Sequence, residues 1–422
     1  MLRTSPPAKG FKQTKKHRRG KKSHHQIGFF TGQPIADFTY KEGDKRNDDG
    51  LTPMERLLKH MSSSGHFDVV ELSTWDLDLR RADTEESAKA YAQELLEMVT
   101  KYELEIASLA AHLQGQCLGD RATLKTIQFQ GAEIVEAYQA WLDEGNEPEE
   151  DDIYSVPKHV AVMSRELAVK DLLAAGRLAQ YLGEFQKRDV PVSGFVGSAG
   201  AWDDIFDFPP RPTVCGSKGE DEKGKIIEVG NRADFALGVI IKRFKPVWDD
   251  YQKRGVKFGL ESHPGEIAAG DMESTKRFLM ATFNAGYKGI VGLNFDASHL
   301  VWQDVDPIDF IIEFIDFIWS VHHKGVHIRK NRRSRAGVLG GWVGFGVLTR
   351  LWDFAYASSD RDSTSPEEII IALNRFGYSG ALTIEGEDTG FCLKEAIPEA
   401  ARKLAEIDLS PSEGLFDEAF TA

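Results

Sequence analysis

The feature that most constrains the fold is a repeat that begins near residue 26, in which short apolar segments alternate with longer amphipathic ones. Segments rich in Val, Ile and Phe have the length and composition of buried strands. The eight predicted strands are 26–30, 68–73, 106–112, 190–197, 257–262, 289–295, 319–325 and 381–387. Helical periodicity marks the intervening segments 87–102, 169–185, 235–254, 274–286 and 307–319. Eight βα repeats are the number that closes a barrel, although an open doubly wound sheet shows the same alternation.

Three long segments interrupt this repeat and are rich in charged residues, proline or glycine: 140–159, 209–226 and 326–365. Loops of this length are uncommon and often form lids or binding loops. We therefore predict an α/β fold, a (β/α)8 TIM barrel with long loop insertions. The barrel is predicted to span 26–407 and to be followed by a C-terminal tail at 408–422.

The N-terminal arm, residues 1–25, is basic, whereas the whole chain has a formal net charge of −14. Residues 9–22 alone carry eight Lys or Arg and no acid. Such a run predicts a disordered, solvated arm; the alternative is an electrostatic tether to a polyanion or a partner subunit. The acidic balance of the chain argues against nucleic acid or an anionic membrane as the main partner, because clustered Lys and Arg bind both.

Composition also predicts the cellular compartment. The 422 residues are 41% hydrophobic, which is ordinary for a globular protein. Cys117, Cys215 and Cys392 lack CxxC spacing, so the sequence predicts neither a disulfide framework nor a thiolate metal site. No apolar run reaches about 18 residues, and no apolar stretch of a secretory signal follows the basic arm. We expect a cytoplasmic protein without a transmembrane span.

Groups that bind metals or protons occur at or near the carboxyl ends of the last four predicted strands. They are Glu261 and His263 at the fifth strand, Asp296 and His299 at the sixth, His322, His323 and Lys324 at the seventh, and Glu385, Glu387 and Asp388 at the eighth. In a TIM barrel these strand ends converge on one mouth, so distant residues would meet there. A lone histidine or acid of this kind is more often a satisfied core residue. Four successive strand ends favour a shared site, because buried carboxylates are costly and a cation offsets their charge.

The motifs ESHPGE (261–266), NFDASHLVWQ (294–303), VHHK (321–324) and IEGED (384–388), with the glycine-rich run 336–354, carry a resemblance. Together they resemble the sugar phosphate isomerase/epimerase family of xylose-isomerase-like barrels. The similarity covers about residues 26–405 and is looser in the N-terminal half, at AAHLQGQ and GFVGSAGAWDDIFDFPP.

The resemblance implies a divalent cation, often Mn²⁺, with Mg²⁺, Co²⁺ or Zn²⁺ as alternatives. The implied ligands are Glu261, Asp296, His322 and Glu385, an oxygen-rich set that suits such hard cations. His299 is implied to contact substrate hydroxyls. The sequence departs from the family where relatives have His-x-Lys-Asp, since glycine follows the lysine here.

The metal chemistry predicts proton abstraction next to a carbonyl, through a metal-stabilised enediolate. The resemblance implies that Glu261 and Glu385 act as the acid and the base. Return of the proton to the same carbon gives an epimerase, and return to the neighbouring carbon gives an isomerase. Loss of a β-substituent would instead make the protein a lyase, a dehydratase or a deglycosidase of 3-oxo sugars.

Further residues are candidates for the same site. His112 and His263 are candidates for an additional acid or base. Lys324 and Arg329 are candidates for binding a phosphate or a sugar oxygen. The candidates for stacking on a sugar ring are Trp202, Trp302 and Trp342. Each has an ordinary structural alternative, as a hydrogen-bonded strand-end histidine, a solvated loop charge or a core tryptophan.

Two other function classes remain as alternatives. The same barrel hosts abasic-site endonucleases, which the negative charge of the chain disfavours. A non-catalytic sugar-binding protein would require broken metal ligands, and all four are present. The expected substrate is a small-molecule carbohydrate whose identity the sequence does not give. A homo-oligomer, dimer or tetramer, would be ordinary for such a barrel.

Overall fold

The structure is a computed structural model. It describes residues 23–148, 153–197, 217–220, 226–229, 232–264, 266, 270–338 and 350–411. Nearly all of the basic arm, most of the C-terminal tail and the candidates Trp202 and Trp342 therefore lie outside the described residues.

Eight parallel strands close into a barrel, as the repeat predicted, in the order β1-β12-β9-β8-β7-β4-β3-β2. The strands are β1 Ile27–Phe30, β2 Val69–Ser73, β3 Glu105–Ala110, β4 Val192–Gly194, β5 Ser217–Glu220, β6 Ile226–Val229, β7 Phe258–Glu261, β8 Val291–Asp296, β9 Ile318–His323, β10 Gly325–Ile328, β11 Trp352–Ala355 and β12 Leu382–Ile384. Strand β1 pairs in parallel with both β12 and β2, which joins the two ends of the sheet. The open doubly wound alternative is thus excluded.

Helices follow the strands in the expected alternation. They are α1 Pro53–Ser63, α2 Glu85–Thr100, α3 His112–Gly119, α4 Leu124–Ile127, α5 Ala132–Asp143, α6 Lys158–Gln186, α7 Arg232–Arg254, α8 Met272–Asn284, α9 Ala297–Val301, α10 Pro307–Phe314, α11 Lys330–Ala336, α12 Pro366–Arg375 and α13 Leu393–Ile407. Several begin at sequence signals for a helix start. Thr52 forms a capping box with Glu55 before α1, and Asp306 caps α10 ahead of Pro307. Among the described helices, none is long and apolar enough to cross a membrane.

Backbone contacts divide the chain into two compact units. The first unit comprises Met1–Glu71, Glu97–Ala107 and Asp296–Ala422, and the second comprises Leu72–Leu96 and Ser108–Phe295. In the first unit, His25 links the start of the described chain to its end: its ring Nδ1 lies 2.9 Å from Oδ1 of Asp408, and its backbone N–H donates to Oδ2. In the second unit, α6 packs on α3 and α7, and Tyr251 of α7 donates its hydroxyl hydrogen to the carbonyl of Leu172.

The barrel strands are buried on both faces, as parallel sheets covered by helices require. Every residue of β1, β2, β7 and β8 is buried. Buried polar residues on these strands are therefore exceptions that need partners. Four of them, Glu71, Glu261, Asn294 and Asp296, are at most 1% exposed.

Three boundaries differ from the sequence predictions. Strand β3 ends at Ala110 and His112 begins helix α3, so this histidine lies on a helix and not at the end of a strand. Helix α6 has 29 residues and starts well before the predicted 169–185. The predicted helix 307–319 ends at Phe314, because a 3₁₀ turn leads straight into β9.

Two of the predicted insertions contain regular structure. Within 326–365, β10 and β11 pair antiparallel, with His327 opposite Asp353. Strands β5 and β6, which overlap 209–226, also pair antiparallel. These ribbons escaped prediction because their segments are rich in glycine and charge, and their apolar residues do not alternate over a sufficient length.

Candidate metal centre

Carboxylates and imidazoles gather at the carboxyl ends of four barrel strands. Strand β7 ends at Glu261 and β8 at Asp296, His322 lies in β9, and Glu385 directly follows β12. Each of the four is at most 6% exposed. In the first unit, one ligand atom from each of Asp296, His322 and Glu385 lies within 4.8 Å of those of the other two. The first unit thus brings together three of the four residues that the family motifs implied as ligands; the fourth, Glu261, lies in the second unit.

In the first unit, His322 lies between two carboxylates. Its Nδ1 is 3.1 Å from Oε2 of Glu385, and its Nε2 is 2.7 Å from Oε2 of Glu71. The ring of Phe30 stacks against the imidazole at a centroid distance of 5.6 Å. Glu71 was not among the predicted site residues. Its only sequence signal is an acid in the middle of the apolar strand segment 68–73, a position that demands a polar partner.

Lys324 is the cation of this cluster. Its ammonium nitrogen lies 3.1 Å from Oδ2 of Asp296, 2.9 Å from Oε2 of Glu385 and 3.3 Å from Oε2 of Glu387. It is also 3.0 Å from Nε2 of His299. Lysine is almost never fully buried unless it is paired, and these contacts account for its 3% exposure. One ammonium therefore offsets part of the negative charge of three carboxylates.

Gln33, in the segment after β1, bridges two of these acids. Its side-chain amide donates to Oε1 of Glu385 at 2.8 Å and to Oε1 of Glu387 at 3.1 Å. Burial raises the pKa of Glu387, and the nearby Lys324 ammonium opposes that rise. Sequence reasoning missed Gln33, because a glutamine just after a strand carries no signal that distinguishes it from a loop residue.

The second unit contributes a smaller cluster around Glu261. Asn294 donates its side-chain amide to Oε2 of Glu261 at 2.8 Å, which fixes the carboxylate plane. Nε2 of His112 is 3.6 Å from Oε2, and Nε2 of His263 is 3.8 Å from Oε1. The ring of Phe195 contacts both imidazoles, with centroid distances of 4.6 and 4.3 Å. Both predicted histidines therefore lie beside the predicted acid.

The donor set fits a divalent cation. Three carboxylates and one imidazole suit Mn²⁺, Mg²⁺ or Co²⁺, which prefer oxygen ligands. Among the described residues, Oδ2 of Asp296 is buried and accepts no hydrogen bond of normal geometry, although the Lys324 ammonium is 3.1 Å away. A buried carboxylate oxygen without such a bond is costly, and a bound cation would remove that cost.

His299 lies beside Asp296 in the first unit. Its Nε2 is 3.5 Å from Oδ2 of Asp296.

Two other sequence candidates lie apart from these contacts. Arg329 follows β10 and directs its guanidinium toward Asp353, with Nη2 4.0 Å from Oδ2. Trp302, a second candidate for sugar stacking, belongs to a buried apolar cluster, where its ring stacks on Trp352 at 4.7 Å. Trp302, which is 8% exposed, is therefore a core tryptophan, which was the structural alternative to sugar stacking.

The chain is distantly similar to several known proteins. No protein-family profile matches the chain. A protein of Bacillus subtilis, the uncharacterized YfiH, is 28% identical over 148 residues, which are 33% of this chain and 47% of the relative. The match therefore spans about half the length of that relative.

Three similar solved structures align with nearly the whole chain. A xylose isomerase domain protein from Planctomyces limnophilus is 13% identical, with 92% and 97% of the two chains covered and a TM-score of 0.49. Mannonate dehydratase from Streptococcus suis serotype 2 is 14% identical, with 94% and 98% covered and a TM-score of 0.48. The 3-keto-D-glucoside 4-epimerase YcjR from E. coli is 12% identical, with 90% and 99% covered and a TM-score of 0.46.

Proposed function

We propose that the protein is a divalent-metal-dependent isomerase or epimerase that acts on a sugar or keto-sugar, cyclitols included. The observation that carries this proposal is the buried group Asp296, His322 and Glu385 of the first unit, whose ligand atoms lie within 4.8 Å of one another. Glu261, buried at the end of β7 in the second unit, is proposed as the fourth ligand. Neutral and acidic carbohydrates are small polar molecules for which a mouth rich in hydrogen-bonding groups is suited.

The four residues of this group would hold the cation, with Mn²⁺ as the first candidate and Mg²⁺, Co²⁺ or Zn²⁺ as alternatives. When bound, the cation supplies Lewis acidity that makes a C–H next to a carbonyl easier to deprotonate. The set contains no thiolate, which distinguishes it from most structural zinc sites.

The carboxylates of Glu261 and Glu385 then exchange the proton with the carbon. One accepts it, and the other returns it to the same carbon or to its neighbour. Each is oriented by a neutral amide: Asn294 donates to Glu261 and Gln33 donates to Glu385, both at 2.8 Å. Such hydrogen bonds limit rotation of the carboxylate and hold its proton-accepting oxygen in place.

Lys324 and His299 are proposed to bind the substrate oxygens. The ammonium of Lys324 lies within 3.3 Å of three carboxylates, so its charge is already held at the site where a substrate oxyanion would develop. His299 lies 3.0 Å from that ammonium, where its ring can contact a sugar hydroxyl. His112 and His263 flank Glu261 and are proposed as an additional acid or base.

The test is metal analysis of the purified protein together with hydrogen exchange in D₂O. We expect about one Mn, Mg, Co or Zn per chain. We also expect metal-dependent entry of deuterium at a carbon next to a carbonyl in a panel of ketohexoses, inososes and 3-oxo-glycosides. EDTA should abolish the exchange and added Mn²⁺ should restore it. Exchange that EDTA leaves unchanged, or a protein that binds no divalent metal, would disprove the proposal. Exchange accompanied by loss of a β-substituent would identify a lyase.

A further inference from the structure

Three arginines of the first unit gather around two buried aspartates beside the segment that follows β12. Arg329 follows β10, Arg350 precedes β11, and Arg361 lies in the segment after β11. The aspartates are Asp353, in β11, and Asp388. The residues come from distant parts of the sequence, and pairing of β10 with β11 brings the segments of Arg329 and Asp353 together.

Asp353 interacts with two of the arginines. Its Oδ1 forms a short ion pair with Nη2 of Arg350, and its Oδ2 lies 4.0 Å from Nη2 of Arg329. Arg329 also donates from Nη1 to the backbone carbonyl of Arg350 at 3.3 Å. Oδ2 of Asp353 accepts in addition from the Thr389 hydroxyl at 3.5 Å. One carboxylate is therefore shared by two guanidinium groups, and the contact with Arg329 is the longer one.

Asp388 is engaged by the third arginine and by the backbone. Its Oδ2 forms a short ion pair with Arg361 and accepts from the backbone N–H of Tyr356 at 2.9 Å. Its Oδ1 accepts from the backbone N–H of Gly390 at 2.8 Å. Asp388 is 3% exposed, whereas the Arg361 side chain is 35% exposed and can reach a ligand from solvent.

Three guanidinium groups share two carboxylates in this cluster: Asp353 pairs with Arg350 and Arg329, and Asp388 pairs with Arg361. Burial lowers the pKa of Arg329. Asp353 raises this pKa, and the positive charges of Arg350, Arg361 and Arg332 lower it. An oxyanion would give Arg329 a closer partner than the carboxylate that it shares with Arg350. The planar guanidinium fork binds carboxylate and phosphate oxygens in pairs.

The cluster lies close to the candidate metal centre. Asp388 is three residues from Glu385, and three residues of extended chain span at most about 11 Å between Cα atoms. Lys324 and Phe354 connect the same regions, because the lysine ammonium lies 4.6 Å from the Phe354 ring centroid and Phe354 is the neighbour of Asp353. A group carried on the far end of a bound sugar would therefore fall within the reach of these arginines.

We propose that Arg329, Arg350 and Arg361 form a subsite for the oxyanion group of an acidic sugar, a phosphate ester or a carboxylate, whose other end reacts at the candidate metal centre. This inference rests on the proposed function and specifies its substrate class. The subsite selects acidic sugars over neutral ones, because an oxyanion accepts charge-assisted hydrogen bonds from the guanidinium groups, whereas a neutral hydroxyl accepts weaker ones.

The test is isothermal titration calorimetry of the full chain with D-glucose 6-phosphate, D-glucuronate, D-glucose and inorganic phosphate, at low salt. We expect at least one acidic sugar to bind about tenfold or more tightly than glucose, as charge-assisted hydrogen bonds imply. Arg329→Gln should weaken binding of that acidic sugar by about tenfold. The matched control is Arg333→Gln, which removes the same charge four residues away, from a guanidinium that pairs with Asp304.

The outcomes separate the subsite from the proposed function. If neither acidic sugar is preferred to glucose, or if Arg333→Gln weakens binding as much as Arg329→Gln, the subsite is disproved. Binding of inorganic phosphate without preference for an acidic sugar would indicate a site for a free anion and would overturn the assignment to substrate. If Arg329→Gln does not fold, the same measurement is made with Arg361→Gln. Metal content and deuterium exchange are measured on the same samples. Deuterium exchange that does not depend on metal in the wild type would contradict the proposed function, whereas the preference for acidic sugars is tested by the binding data alone.

Discussion

The ammonium of Lys324 lies 2.9 Å from Oε2 of Glu385 and 3.1 Å from Oδ2 of Asp296. It therefore contacts two of the four proposed metal ligands directly. Without this lysine, the buried carboxylates would repel one another in a region that water screens poorly. Lys324 and a divalent cation thus stabilise the same negative charges, and both effects can be measured.

Replacing Lys324 with Met should destabilise the metal-free protein by about 3 kcal/mol, since removal of one partner leaves buried carboxylates without a counter-charge. Saturating Mn²⁺ should stabilise the variant more than the wild type, because the cation replaces the lost positive charge. Urea denaturation with EDTA and with Mn²⁺ measures both effects.

The control for this variant is Lys403→Met. Lys403 pairs with Asp360, whose side chain is fully exposed, so its loss should change stability by less than about 1 kcal/mol. Equal stabilisation of Lys324→Met and wild type by Mn²⁺ would show that the cation does not bind among these carboxylates.

Glu261→Gln and Glu385→Gln should each reduce deuterium exchange by about 100- to 10,000-fold, because an amide cannot accept the proton. Circular dichroism should show an intact fold. Glu368→Gln, on the exposed face of α12, is the control and should exchange at the wild-type rate. Appreciable exchange by either site variant would remove that residue from the acid–base pair.

His299→Ala tests the division between metal binding and substrate binding. We expect the KM of the reacting sugar to rise about tenfold or more, with metal affinity nearly unchanged, since His299 is proposed to contact substrate hydroxyls. Metal titration by calorimetry and steady-state kinetics give the two quantities. A variant that loses its metal would instead make His299 a ligand.

Local patterns predicted the barrel and the metal-binding groups at its strand ends, because both depend on signals within single segments; the choice of four of these groups as ligands came from the family resemblance. An apolar run that ends in an acid indicates a strand end, and strand ends meet at the mouth of a barrel. Glu71, Gln33 and Asn294 were missed, although each contacts a member of the group. Their roles depend on which side chain lies opposite across the barrel, and no single segment contains that information.

The arginine cluster was missed for a similar reason. Arg329 was predicted to bind substrate, but its partner Asp353 and the pair of Arg361 with Asp388 depend on the antiparallel ribbon of β10 and β11. The sequence of that region shows glycine and mixed charge without strand alternation. His112 likewise keeps its predicted place beside Glu261 although the strand before it ends two residues earlier.

Gly119→Ala should destabilise the protein by about 1 to 3 kcal/mol, the usual cost of overpacking. A Cβ there would collide with the Val196 carbonyl oxygen, which forces α3 away from the chain beyond β4. Gly238→Ala is the control: among the described residues, no atom outside the backbone of its own helix lies within 4 Å of its Cβ, and alanine should stabilise helix α7 by up to about 1 kcal/mol. Thermal denaturation compares them. Equal melting temperatures for the two variants would contradict the close packing of α3.

Glu266 should make stability depend on pH near neutrality. Burial raises the pKa of Glu266 to about 8, with Asp120 adding to the rise, although Oε2 accepts from the backbone N–H of Val196 at 3.2 Å. The unfolded chain releases this proton near its ordinary pKa of about 4.5, so the folded state binds the extra proton between about pH 4.5 and 8. Its stabilising contribution is complete below about pH 4.5 and is lost as the pH rises to about 8.

Glu266→Gln removes this titration and retains an acceptor oxygen for Val196. The variant should therefore be more stable than the wild type at pH 8, by on the order of 3 kcal/mol, and the two should differ little at pH 4.5. Urea midpoints measured at pH 4.5, 6 and 8 give the two slopes. Glu273→Gln, which changes a glutamate in the first turn of α8, should keep the wild-type slope. If Glu266→Gln also keeps the wild-type slope, then the carboxyl of wild-type Glu266 is already ionised at neutral pH, and its hydrogen bonds to the backbone outweigh the cost of burial.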